Sequence, residues 1–208
     1  LSQTIQVKSS YTELGVSTID NYDLSIPFSS VTVTGSVDIN TVGTYSIDYD
    51  VSDSSGNNAV TITRTVVVED TEAPVIILAG DADITLEADS PYSDAGASVT
   101  DNYNTGLTAS VDLSSLDLTT VGVYTLTYSV SDSSGNAAIP VYRTITIVDT
   151  QAPTITLVGN PTIDIQAGTT YVDPGFTATD IYDGDLTAQV LVTGTVDTSI
   201  LGAITLSY

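Results

Sequence analysis

The chain is predicted to be all-β, a row of small β-sandwich modules, and three observations carry that prediction. The heptapeptide Val51-Ser52-Asp53-Ser54-Ser55-Gly56-Asn57 recurs unchanged as Val130-Ser131-Asp132-Ser133-Ser134-Gly135-Asn136, an offset of 79 residues. The junction Asp70-Thr71-Glu72-Ala73-Pro74 returns at the same offset as Asp149-Thr150-Gln151-Ala152-Pro153. A fixed period of this length marks an array of like modules, and a chain of 208 residues holds about three of them. Between these markers, short apolar runs alternate with a period of two, and no segment has the 3.6-residue period of an amphipathic helix.

The middle module, residues 71–149, is the complete one and gives the order of elements. An apolar run at 75–78 opens it after Pro74, and Ile84-Thr85-Leu86-Glu87-Ala88 alternates as a half-buried strand does. Residues 92–96 are turn chemistry, and Ala97-Ser98-Val99-Thr100 returns to strand. Asp101-Asn102-Tyr103-Asn104-Thr105-Gly106 is a loop, rich in side chains that bond their own backbone. Strand-like pieces follow at 107–111 and 116–118. The longest strand runs from Tyr124 to Val130, with Tyr124, Leu126, Tyr128 and Val130 on one face and Asp132 ending that row. The last strand, 139–148, puts Val141, Arg143, Ile145 and Ile147 on its inner face. The Gly-x-Tyr before the long strand (Gly43-Thr44-Tyr45, Gly122-Val123-Tyr124) has the pattern of a tyrosine corner. The expected fold is therefore a set of tandem immunoglobulin-like β-sandwich modules in a linear array.

The outer modules match this pattern incompletely. Module 1–70 has no opening strand, and module 150–208 stops where the Ser-Asp-Ser-Ser-Gly-Asn turn and last strand are expected. The chain then reads as part of a longer repeat protein. The sharper expectation is that another copy donates the missing strands, giving homo-assembly by strand addition.

Composition narrows the partners. The chain carries 26 acidic residues, 3 basic ones and no His, a net charge of −23. Such a surface repels nucleic acid and anionic membranes, which need a Lys/Arg footprint, and no membrane-inserting segment is visible. Cations and neighbouring repeats of the same chain are the expected partners. No cysteine is present to staple the modules.

The motifs together resemble the bacterial and archaeal Ig-like surface repeats of the DUF5011 kind and, more loosely, HYR modules. The resemblance rests on Asp149-Thr150-Gln151-Ala152-Pro153, Tyr171-x-Asp173-Pro174-Gly175, Asp183-Gly184-Asp185-Leu186-Thr187, Gly122-x-Tyr124 and the Ser131–Asn136 turn. It implies an extracellular, cell-surface location in large exported proteins: adhesins, stalks, surface layers, and spacers of secreted enzymes. The first module departs from it, with Glu13-Leu14-Gly15 where the family has Asp-Pro-Gly.

Catalysis finds little to work with. There is no imidazole or thiol, and the carboxylate pairs Asp183/Asp185 and Asp48/Asp50 sit in repeat turns or on strand edges rather than flanking a cleft. Metal binding is the open question. In an immunoglobulin-like topology, the loop after the second strand and the penultimate hairpin turn lie at the end facing the preceding module. That gathers Asp101, Asn102, Asp132 and Asn136 beside Asp70 and Glu72, and Asp180 and Asp183 beside Asp149. Calcium takes six to eight oxygen ligands from loops of this composition. The plainer alternative is that these acids shape solvated turns, which need no ion. Arg64 and Arg143, again 79 apart, fall on the buried face and are expected to stack on a tyrosine or pair with an acid. The expected function is structural and non-catalytic, with calcium stiffening the joints. A ligand-binding adhesin segment using the 102–106 loop tip and a spacer of a secreted hydrolase are the alternatives.

Overall fold

The structure, a computed structural model, describes residues 2–208 and is all-β, with only two short 3-10 turns at Phe28–Ser30 and Thr187–Gln189. In the first repeat, β1 (Ser2–Gln6), β2 (Thr32–Thr34), β3 (Gly43–Asp50) and β4 (Ile62–Glu69) form one sheet of order β1-β4-β3-β2. β1 runs parallel to β4, while β3 and β4 are an antiparallel pair. The second repeat opens with β5 (Val75–Leu78), which pairs antiparallel with β7 (Ala97–Thr100). Its larger sheet has the order β6-β10-β9-β8, from β6 (Asp83–Glu87), β8 (Ser110–Asp112), β9 (Gly122–Ser129) and β10 (Val141–Val148). The third repeat contributes β11 (Thr154–Leu157), β12 (Phe176–Asp180) and β13 (Gly184–Asp185) in one antiparallel sheet. These are tandem sandwich-like domains.

Strand parity decides what is inside. Along β4, Arg64, Val66 and Val68 are buried while Thr63, Thr65 and Val67 are not, and β10 repeats this with Arg143, Ile145 and Ile147. Both arginines lie inward as their parity requires, and each finds an acid. Arg64 donates to Glu13 and to the Gly15 carbonyl (2.7 Å), with its guanidinium 5.4 Å from the Tyr49 ring centroid. Arg143 is fully buried and pairs with Asp94, its Nε donating to the Asp81 carbonyl at 2.9 Å. The tyrosine corner forms in both repeats that carry it. Tyr45 Oη donates to the Thr41 carbonyl and Tyr124 Oη to that of Thr120, each at 2.8 Å.

Two expectations about elements are corrected. Residues 116–118 are not a strand but the end of a turn, with Leu116 N–H donating to the Leu113 carbonyl. Their leucines alternate, yet the following Asp117 bonds Thr119 and Thr120 locally, which competes with any ladder. Residues 139–140 also lie outside the final strand, because Pro140 has no N–H to give to a ladder.

Contacts divide the chain into two compact units. One comprises Leu1–Ala79, Gly96–Val111 and Tyr128–Val141, the other Gly80–Ala95, Asp112–Thr127 and Tyr142–Tyr208. Each unit contains one Asp-Thr-x-Ala-Pro junction. The first buries Val7, Ile47, Tyr49, Val66 and Val68, the second Leu126, Ile145, Ile147 and Ala178.

Candidate metal centre

The repeated heptapeptide folds as an aspartate-capped turn. Asp132 Oδ1 accepts the N–H groups of Ser134 (2.9 Å) and Asn136 (2.7 Å), and Oδ2 accepts the Asn136 amide at 2.7 Å. Gly135 sits at φ 92°, a conformation costly for any residue with a Cβ. Burial pushes the Asp132 carboxyl up, but the Asn136 and Ser134 hydrogen bonds together outweigh it and hold the group below the ordinary carboxylate value. Asp53 is capped in the same way by Asn57 and Ser55.

The loop after the second strand is built on a second aspartate. Asp101 Oδ1 accepts the N–H groups of Tyr103 (2.9 Å) and Asn104 (2.7 Å). Asp20 does the same for Tyr22 and Asp23, and Asp180 for Tyr182 and Asp183. The fourth residue of the loop then binds the heptapeptide turn. Asn104 exchanges hydrogen bonds with Ser133, and in the first repeat Ser54 donates to Asp23 through both N–H and hydroxyl.

The third component is the junction. Asp70, only 5 % exposed, accepts from the Gln6 amide (3.0 Å) and the Ser134 hydroxyl (3.4 Å), while its carbonyl accepts from Asn136 Nδ2 at 3.0 Å. Asp70, Asp101 and Asp132 thereby bring carboxylate oxygens within 4.8 Å of one another, two of the three residues being buried. Asp101 Oδ2 and Asn102 Oδ1 are buried oxygens with no hydrogen-bond partner. Glu72 stands apart: it is exposed, and its backbone N–H, not its carboxylate, reaches Asp70.

A second group, Asp149, Asp180 and Asp183, likewise brings carboxylate oxygens within 4.8 Å of one another, with no member buried. Its composition differs. Asp183 occupies the loop position of Asn104 and Asp23, the residue that elsewhere binds the turn serine. Desolvation, then the charges of Asp180, Asp183 and Glu87, raise the Asp149 carboxyl above its ordinary value despite a hydrogen bond from Gln151. The first repeat has Asp20 and Asp53 in the corresponding positions, without a third acid grouped with them among the described residues.

Sequence reasoning missed what fixes the junctions. Gln6 Oε1 accepts both the N–H (2.9 Å) and the hydroxyl (2.6 Å) of Thr71, and Glu87 clasps Thr150 in the same way, its Oε2 accepting the N–H at 3.0 Å. The signal was the second residue of the repeated Asp-Thr-x-Ala-Pro motif. It also missed Lys8, whose Nζ donates to the Asn102 carbonyl and lies 5.9 Å from the Tyr103 ring. Tyr103 Oη in turn accepts the Val42 N–H at 3.4 Å, so Asn102 and Tyr103 at the start of that loop both contact the first repeat.

Comparison with known proteins fits this framework. A family model described as bacterial surface protein, Ig-like domain, matches residues 2–68, 76–147 and 155–208. The chain is 36 % identical over 164 residues to hyalin of Strongylocentrotus purpuratus, and 33 % identical over 161 residues to an uncharacterized 81.3 kDa protein of Acholeplasma phage L2. Those alignments cover 75 % and 73 % of this chain but only 14 % and 20 % of the two relatives. No helix among the described residues is long and apolar enough to cross a membrane, which says nothing of β-barrels. With three matched segments spanning most of an all-β chain, the protein belongs to the bacterial surface Ig-like domain family, whose place is extracellular, at the cell surface.

Proposed function

We propose that the chain is a structural segment of a large surface protein, a stalk, adhesin spacer, surface-layer or filament component, whose repeat junctions are rigidified by calcium. In this reading the modules are residues 1–70, 71–149 and 150–208, and the ion at the first junction is held by Asp70, Asp101, Asp132 and the Asn102 side chain. The observation that carries it is the pair of buried, partnerless oxygens, Asp101 Oδ2 and Asn102 Oδ1, beside two further buried acids. A buried acceptor left unpaired costs about 1–3 kcal/mol, and a hard cation removes that cost at both atoms at once. The donor set is all oxygen, with no imidazole or thiolate in the chain, which selects calcium over the softer metals. Asp149, Asp180 and Asp183 form the second, weaker site of this scheme, being more exposed and lacking any such partnerless oxygen.

Calorimetric titration of calcium into chelator-treated protein at low ionic strength tests this. One saturable tight site is expected, absent from Asp101→Asn, which keeps the Oδ1 acceptor for Tyr103 and Asn104 but loses the charge. No saturable binding, or unchanged binding in that variant, contradicts the proposal.

A further inference from the structure

Beside each junction lies a tight turn, and one side chain of that turn differs in charge between the two junctions. Lys8 follows β1 and Asp89 follows β6, with φ of 62° and 61°. Their backbones are equivalent. Lys8 N–H donates to the Ile39 carbonyl at 2.7 Å and Asp89 N–H to that of Leu118 at 2.8 Å, and the Ser9 and Ser90 N–H groups close the turns on the Gln6 and Glu87 carbonyls at 3.1 Å. A positive φ at the third position of such a turn favours Gly or Asn on backbone grounds, and neither repeat has one there. A side chain kept at a strained backbone position directs attention to what that side chain does.

Lys8 reaches the loop of the following repeat. Its Nζ donates to the Asn102 carbonyl and lies 5.9 Å from the Tyr103 ring centroid, while Tyr103 Oη accepts the Val42 N–H at 3.4 Å. Asp101 Oδ1 accepts the Tyr103 N–H at 2.9 Å. One peptide unit, Asn102–Tyr103, is therefore held at its oxygen by Lys8 and at its hydrogen by Asp101. Asn102 Oδ1 and Asp101 Oδ2, the side-chain oxygens next to this unit, are the buried ones with no hydrogen-bond partner. At the second junction both parts of the arrangement change together. Asp89 stands in the place of Lys8, and Ile181, 63 % exposed, in the place of Asn102. A carboxylate cannot donate to a carbonyl, and an isoleucine side chain offers no oxygen to an ion.

We infer, resting on the calcium reading of the first junction, that Lys8 is a positioning residue for that site. Its ammonium fixes the Asn102–Tyr103 peptide, so that Asn102 Oδ1 and Asp101 Oδ2 stay in place beside Asp70 and Asp132 before any ion arrives. Two effects of Lys8 on a bound cation have opposite signs. A positive charge near the site weakens binding by Coulomb repulsion. A loop already fixed in the bound arrangement strengthens it, because the ordering cost of binding falls. Removing the ammonium therefore tightens calcium binding if Lys8 acts as a charge, and weakens it if Lys8 acts as an anchor.

The test compares Lys8→Met and Lys8→Arg in the whole chain, both substitutes being unbranched at Cβ and so no harder on the turn than lysine. Calorimetric titration of calcium at low ionic strength is expected to show binding about tenfold or more weaker in Lys8→Met, as loss of a hydrogen bond that orients a metal ligand does. Lys8→Arg, which keeps a donor and the charge, restores most of the affinity. In chelator, amide exchange at Tyr103 and Asn104 quickens in Lys8→Met while β3 and β9 stay protected, which reads the anchor with no ion present. Equal or tighter calcium binding by Lys8→Met overturns the inference, as do unchanged exchange at Tyr103 in chelator and failure of Lys8→Arg to restore binding. Loss of protection in β3 and β9 as well also overturns it, since Lys8 then supports the fold rather than the loop. Absence of saturable calcium binding by the unaltered chain instead overturns the calcium reading on which this role depends.

Discussion

At the scale of single residues, the acids of this protein do three different jobs that composition alone does not separate. Asp132 and Asp53 shape turns, Asp94 and Glu13 neutralise buried arginines, and Asp149 repels its neighbours. Each job gives its own mutational signature. Asp94→Ala strands the fully buried Arg143 charge and is expected to cost about 3–5 kcal/mol in chemical denaturation. Asp149→Asn should act in the opposite direction in chelator. A carboxyl whose folded pKa is raised costs stability at every pH above its ordinary value, so removing its charge raises the melting temperature at neutral pH. The same variant should lose whatever calcium-dependent gain the second junction has; an unchanged or lower melting temperature in chelator would show that desolvation and the neighbouring acids do not disfavour the ionised Asp149. Asp101 and Asp132 were legible as neighbours from the period and an assumed topology. Gln6 and Glu87 were not, because they differ in type and lie 81 apart while the motifs around them keep 79.

At the scale of elements, alternation named most strands, and inward Arg143 followed from counting parity along β10. Parity failed at 116–118, where Asp117 satisfies local donors and a turn wins over a ladder. The register of β1 against β4 was also beyond the sequence, since a parallel pairing of Ser2 with Thr65 depends on strands far apart in the chain. What holds each junction in register is the clasp of Gln6 on Thr71 and of Glu87 on Thr150. Gln6→Leu removes the acceptor of Thr71 and the donor to Asp70 together, and should speed amide exchange at Thr71 while leaving β3 protected. Equal exchange in both proteins would show the clasp to be incidental. The tyrosine corner contributes less: Tyr124→Phe removes one exposed hydrogen bond and should lower the denaturation midpoint only slightly, which a denaturant titration reads.

At the scale of the whole molecule, net charge and hydrogen-bonded carboxylates pull in opposite directions as pH changes. Asp20, Asp53, Asp132, Asp173 and Glu13 are among those held below their ordinary values by hydrogen bonds. Their stabilisation is present above the unfolded values of about 3.9–4.3 and is lost as pH falls through the depressed folded ones. Acid unfolding should therefore begin below about pH 4 even though acidification reduces the self-repulsion of a −23 chain. At neutral pH all those charges are present, and the proposed calcium at the first junction should then matter most. Thermal melts at low ionic strength in chelator, in calcium, and in sodium chloride matched for ionic strength test it most directly. A higher melting temperature is expected in calcium than in either other condition, with the gain abolished by Asp101→Asn. Coincident melts in calcium and in matched sodium chloride would contradict calcium binding at the junction.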